Sequence, residues 1–150
     1  MILLASSSQD DLYCWERGVS ALAPIFCSTN IGSLSDELVR IKPKVLLLDY
    51  DMPKLDGLSG IAALMKLNPD TKVVILSGPI TDEIEWGLFR TGVRGCCQRD
   101  IEPEQLKNVI MAVQRGELWI RRTLSWHLPI LYRFGFWQSL EAHFQGAPVF

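Results

Sequence analysis

The chain predicts an α/β fold, a doubly wound five-stranded parallel sheet, and three observations carry that prediction. Short apolar runs recur at "ILLA", "PIFC", "KVLLLD", "KVVILS" and "GCCQ", the pattern of strands covered on both faces. Each run is followed by a stretch with helical spacing, and the connections left between them are short. Strands alternating with helices in this way form parallel sheets with right-handed crossovers.

Each element has its own justification. The run at Ile2–Ala5 leads into Ser6-Ser7-Ser8, and the strand around Cys27 is the least marked of the five. Leu58, Ile61, Ala62 and Met65 form one stripe, and Leu106, Val109, Ile110 and Val113 another; both follow the i, i+3, i+4, i+7 pattern of a helix covering a sheet. Thr81 is placed to cap a helix beginning Asp82-Glu83, and Gly92 to end it. Pro103 suits a first helical turn and Gly116 a C-terminal stop.

With 150 residues, 48% of them hydrophobic, the chain has the size and core of one domain with a small appendage. A net charge of −2 gives no global pull toward nucleic acid or an anionic membrane. The apolar N-terminal stretch is brief and has no basic leader, which predicts neither a signal peptide nor a membrane span, and a cytoplasmic location. Cys14, Cys27, Cys96 and Cys97 show no metal-ligand spacing and are expected to be small buried residues in a reducing compartment.

Beyond Gly116 the composition changes. The remaining segment holds eight of the fourteen aromatic residues: Trp119, Trp126, Tyr132, Phe134, Phe136, Trp137, Phe144 and Phe150. Such a segment is too apolar to stay solvated and is expected to pack on something. Leu124, Leu128 and Leu131 suggest helical turns, kinked or restarted at Pro129. His127 and His143 have no partner residues at ligand spacing.

The chemistry gathers at the strand ends. An aspartate emerging from four apolar residues is expensive unless it reaches the crevice at the sheet's carboxyl edge, which places Asp49 there. Ser77 ends the fourth strand and Arg99 follows the fifth, so a carboxylate, a hydroxyl and a cation converge.

Residues 1 to about 120 resemble a response-regulator receiver domain, of the branch that precedes LuxR-type DNA-binding domains. The matching motifs are "LLLDYDMPKLDG", "VVILSG", "TGVRGCCQRD" and "EPEQLKNVIMAVQRGELW", in order and correctly spaced. The resemblance implies the flavodoxin-like strand order 2-1-3-4-5. It also implies Asp49 as phosphoacceptor, a carboxylate nucleophile that takes a phosphoryl group from a histidine kinase with Mg²⁺, and Ser77 as the hydroxyl that relays the change.

The chain departs from that family at three points. Ser6 and Ser7 fall where two metal-binding acids are expected, Arg99 falls on the lysine that contacts phosphoryl oxygens, and Cys96 falls on a mobile aromatic. Neutral hydroxyls are poor partners for a hard dication, which leaves Asp49, with Asp51 at most, as a thin metal site. A guanidinium pairs bidentately with carboxylates where an ammonium is a point charge, so Arg99 is expected to hold Asp49 in a standing ion pair. In an alternative register, Asp10-Asp11 supply the acidic pair; in the favoured one they are first-turn helix residues.

The expected organisation is a receiver over 1–117 and an aromatic extension over 118–150 in place of a DNA-binding domain, since about thirty residues cannot hold that module and a linker. The expected function is an atypical, phosphorylation-independent receiver in signal transduction, not an enzyme and without a cofactor. It acts by contact with a second copy or another signalling protein through Trp119, Trp126, Tyr132, Phe134, Phe136 and Trp137. Nucleic acid is not expected as a partner of this chain. One alternative is a working single-domain response regulator phosphorylated on Asp49, with Mg²⁺. Another is a flavodoxin-like ligand-binding or enzymatic domain, against which the lack of a glycine-rich loop after the first strand counts.

Overall fold

Because a parallel sheet buries both faces, its inner strands must be apolar along their length, and in the computed structural model, which describes residues 1–120, they are, apart from Lys72 at one strand start and Asp49 and Ser77 at two carboxyl ends. The order along the chain is β1 (Ile2–Ala5), α1 (Gln9–Val19), β2 (Ile25–Ser28), α2 (Ile31–Ile41), β3 (Val45–Asp49), α3 (Gly57–Leu67), β4 (Lys72–Ser77), α4 (Asp82–Thr91), β5 (Gly95–Gln98) and α5 (Pro103–Gln114). All neighbouring strands are parallel and the sheet order is β2-β1-β3-β4-β5.

Strand alternation divides the core in two. Leu3, Leu46, Leu48 and Ile75 face Leu34 and Leu38 of α2, Ile61 and Leu64 of α3, and Leu88 and Phe89 of α4. Ile2, Leu4, Leu47 and Leu76 face Leu12 and Trp15 of α1 and the full Leu106, Val109, Ile110, Val113 stripe of α5. The α3 stripe read from the sequence lacked Leu64, which is buried, whereas Ala62 is only half-buried.

The helix ends follow the residue chemistry. Thr81 accepts a hydrogen bond from the Ile84 N–H at 3.2 Å, Gly92 closes α4 at φ 117°, and Pro103 opens α5. Ser8 caps α1 by accepting from the Asp11 N–H at 3.3 Å, which puts Asp10 and Asp11 in that helix's first turn.

Two expectations need correction. β2 is not a buried strand: it is the sheet's edge, with Ile25 half-buried and Phe26 and Cys27 exposed. An edge strand lacks a neighbour on one side, so apolar residues there are only partly covered. Cys14 is likewise exposed on α1, so only Cys96 and Cys97 are buried. Burial among apolar atoms, with Glu85 nearby, pushes the Cys97 thiol up to about 12, leaving it unreactive.

Beyond α5 the chain returns to the sheet. Trp119 bridges Gly95 in parallel fashion; its N–H donates to the Arg94 carbonyl at 3.0 Å, and its carbonyl accepts from the Cys96 N–H at 3.2 Å. Leu118 and Ile120 are buried. The segment predicted to begin at 118 therefore starts as an extra rung beside β5.

α1 and α5 pack side by side on one sheet face, at a close approach that requires glycine. A Cβ on Gly18 would lie 2.5 Å from the Pro103 carbonyl oxygen, a backbone atom with little room to move. Gly18→Ala is expected to lower stability by about 1–3 kcal/mol in urea unfolding, as overpacking does; an unchanged midpoint would refute this close approach.

Candidate functional site

Three strands end at one place, and each ends in a polar residue. β1 gives way to Ser6, β3 ends in Asp49, β4 ends in Ser77, and all three side chains are buried, with Asp49 only 4% exposed. A buried carboxylate must be hydrogen-bonded and paired. Asp49 is: one oxygen accepts from the Ser6 hydroxyl at 3.0 Å, and the other accepts from the Asp51 N–H at 2.9 Å and from the Arg99 guanidinium.

Ser6 is fixed in turn. Its backbone N–H reaches the Ser28 carbonyl at 3.1 Å, and its hydroxyl oxygen accepts from the Ser8 N–H at 3.1 Å. Ser7 is exposed. Of the two serines at the expected acidic-pair positions, only Ser6 touches Asp49.

Arg99 is the centre of the cluster. Its backbone is held from two sides: the N–H donates to the Ser77 carbonyl at 2.8 Å and the carbonyl accepts from the Trp15 indole N–H at 3.0 Å. With β4 and α1 fixing the main chain, the side chain crosses the strand ends and donates to both Asp49 and Asp51, the latter at 2.7 Å. A guanidinium's planar fork suits two carboxylates at once. Burial alone would lower the Arg99 pKa, but its hydrogen bonds to Asp51 and Asp49 outweigh that, and it is held above its ordinary value.

Asp11 is the residue whose part in the site is resolved only in three dimensions. Its carboxylate lies 3.4 Å from Arg99 Nε, although Nε makes no hydrogen bond. Burial raises the Asp11 pKa, Arg99 pulls it back, and the Asp49 charge raises it again. The ion pair and the raised pKa pull in opposite senses; burial prevails because the guanidinium directs its hydrogen bonds to Asp49 and Asp51. Asp10 is exposed. The acidic dipeptide thus sends one residue, from the first turn of α1, to the rim of the crevice.

These oxygens do not suit a hard dication. Such an ion needs carboxylates free to compensate its charge, and here a guanidinium already lies among the three aspartates, while among the described residues no group of three or more acidic, histidine or cysteine side chains is arranged to hold a metal. Of the predicted interface aromatics, Trp119 lies against the β1, β3 and α5 core while bridging β5. Trp126, Tyr132, Phe134, Phe136 and Trp137 lie outside the described residues. No described helix is long and apolar enough to cross a membrane.

A parallel sheet of order 2-1-3-4-5 that presents an aspartate, a hydroxyl and a cation at its carboxyl edge defines a receiver domain of two-component signalling. The chain belongs to the response regulator receiver domain family, whose sequence profile matches residues 27–111. It is 38% identical over 84 residues to the uncharacterized transcriptional regulatory protein YxjL of Bacillus subtilis (strain 168), covering 56% of this chain and 38% of that protein. It is 28% identical over 131 residues to the transcriptional regulatory protein DegU of Brevibacillus brevis, covering 83% of this chain and 56% of DegU. The chain therefore matches about half or less of the length of these relatives. The isolated receiver domain of RcsB from Salmonella enterica serovar Typhimurium, solved with a phosphomimetic, superposes with a TM-score of 0.72 at 16% identity, over 83% of this chain and 94% of that one; this likeness shows the fold.

Removing one partner of a buried ion pair leaves the other charge uncompensated, at about 3–5 kcal/mol for a fully buried pair. Arg99 is 29% exposed, so Arg99→Ala is expected to lose about 2–3 kcal/mol in urea unfolding, and adding Asp49→Asn should recover part of it. A loss below about 0.5 kcal/mol, the scale of an exposed pair, would show that the cluster does not stabilise the fold.

Proposed function

We propose that this chain is an atypical receiver that signals by protein-protein contact without accepting phosphate. One observation carries the reading: the Arg99 guanidinium lies between Asp49 and Asp51, giving the acceptor carboxylate a permanent counter-ion. In this reading Asp49 holds the phosphoacceptor position and Ser77 that of the switch hydroxyl. Arg99 replaces the lysine, and Ser6 and Ser7 replace the acidic pair. A carboxylate bonded to Ser6, the Asp51 amide and Arg99 is a weakened nucleophile, because three of its about four acceptor sites are engaged.

The receiver spans 1–117, and residues 118–150 form an extension that supplies part of a surface for a second copy or another signalling protein. The chain works in the cytoplasm, as a non-enzyme, without a resident cofactor and without contacting nucleic acid itself. Its regulatory relatives support a signalling role.

The second reading is a working response regulator phosphorylated on Asp49 by a histidine kinase. The Asp11 carboxylate at the crevice favours it, since three aspartates would face a dication if Arg99 withdrew. Incubation with a small phosphodonor and Mg²⁺, followed by intact-mass measurement, separates the two. The proposed function predicts no stoichiometric phosphoryl adduct; an adduct that is lost in Asp49→Ala would establish the second reading.

A further inference from the structure

Away from the Arg99 cluster, the surface charges are sorted by sign onto opposite ends of the sheet. At the amino edge Lys44 precedes β3, Lys72 opens β4 and Arg94 precedes β5, so three cations stand on neighbouring strands about 5 Å apart. Main-chain bonds hold this row: the Lys72 N–H donates to the Lys44 carbonyl at 2.9 Å, and the Arg94 N–H to the Val73 carbonyl at 2.8 Å. Lys42, just past α2, and Lys66, in the last turn of α3, are exposed at the same end. Among the described residues none of these five forms an ion pair, and Asp70, in the loop before β4, is exposed beside them.

The carboxyl edge has the opposite sign. Glu83 in the first turn of α4, Asp100 after β5, and Glu102 and Glu104 at the start of α5 are exposed, and among the described residues they too make no ion pair. Lys54, in the loop after β3, is exposed at that edge, while Arg99 is engaged by aspartates. The six residues of β4 set the two edges about 20 Å apart. Helix C-termini attract cations, which accounts for Lys42, Lys66 and Lys72, whose Nζ donates to the Gln114 carbonyl at the end of α5 at 3.2 Å. It does not account for Lys44 and Arg94 at their strand starts, where like charges on neighbouring strands repel.

We infer that the basic amino edge docks the acidic carboxyl rim of a second copy of this chain, head to tail. Charge complementarity selects this occupant: the molecule carries both signs at opposite ends, so a second copy presents the anions that the row at Lys44, Lys72 and Arg94 lacks. A contact between opposite ends leaves one edge unused on each chain of a pair, and repetition builds an open row of chains. The inference rests on the contact reading above and names the second copy as the partner. Each exposed ion pair is worth little, so the contact draws on several at once and is sensitive to salt.

Sedimentation of the full chain tests it. At about 0.01 M salt, where charges act over about 30 Å, the mean mass should rise with protein concentration to about twice the monomer's or more; at about 1 M, where that range is about 3 Å, it should return to the monomer. A basic-edge variant (Lys42→Gln, Lys44→Gln, Lys66→Gln) and an acidic-rim variant (Asp100→Asn, Glu102→Gln, Glu104→Gln) change exposed residues only. Each alone should stay monomeric, and their mixture should give a complex of one chain of each, since one intact edge of each kind remains. A wild-type monomer at low salt, including one that binds anionic vesicles or duplex DNA instead, would overturn the inference. Association that ignores salt, or a mixture that forms no complex, would overturn it as well. Phosphoryl transfer does not enter the readout, so its failure is separable from failure of the proposed function.

Discussion

The guanidinium of Arg99 joins elements that are far apart in the chain. Through it the end of β5 is tied to Asp49 at the end of β3, to Asp51 in the following loop and to Asp11 on α1. Its main chain completes the tie, with β4 on one side and the Trp15 indole on the other. Three strand ends with buried polar residues would otherwise leave a buried carboxylate in search of a counter-charge. One fixed cation satisfies that need without an ion taken from solution.

That constraint gives sense to the surrounding residues. Ser6 is a neutral donor where another carboxylate would add charge that Arg99 could not balance. Asp11 shows the limit: with hydrogen bonds already directed to two aspartates, the guanidinium does not overcome the third one's burial, and its pKa rises. A lysine would offer a point charge in place of the fork and could not bridge Asp49 and Asp51 in the same planar way. In the proposed function this lock makes the fold a fixed contact module, and Trp119 adds a rung at the edge of its sheet.

Most of the fold was legible because its signals are local. Continuous apolar runs marked β1, β3 and β4, and the α5 stripe, Thr81, Gly92 and Pro103 sit where their side-chain chemistry calls for them. β2 misled because an apolar run reads the same whether its strand lies inside the sheet or at its edge; only strand order separates the two, and the exposure of Phe26 and Cys27 follows from it. At the site, the positions of Asp49, Ser77 and Arg99 could be read from strand ends. Asp11 stayed open between two registers, because its approach to Arg99 depends on how α1 leaves β1 and packs on α5. Ser8 did leave a signal, a serine ahead of two acids, but its cap is assigned only once the helix start is known.

In the proposed function Arg99 takes the place of a dication among these aspartates. Calorimetric titration of Mg²⁺ into the full chain tests it most directly. With Arg99 in that place no saturable binding is expected at millimolar Mg²⁺, and one-to-one saturable binding that disappears in Asp49→Ala would overturn this role of Arg99.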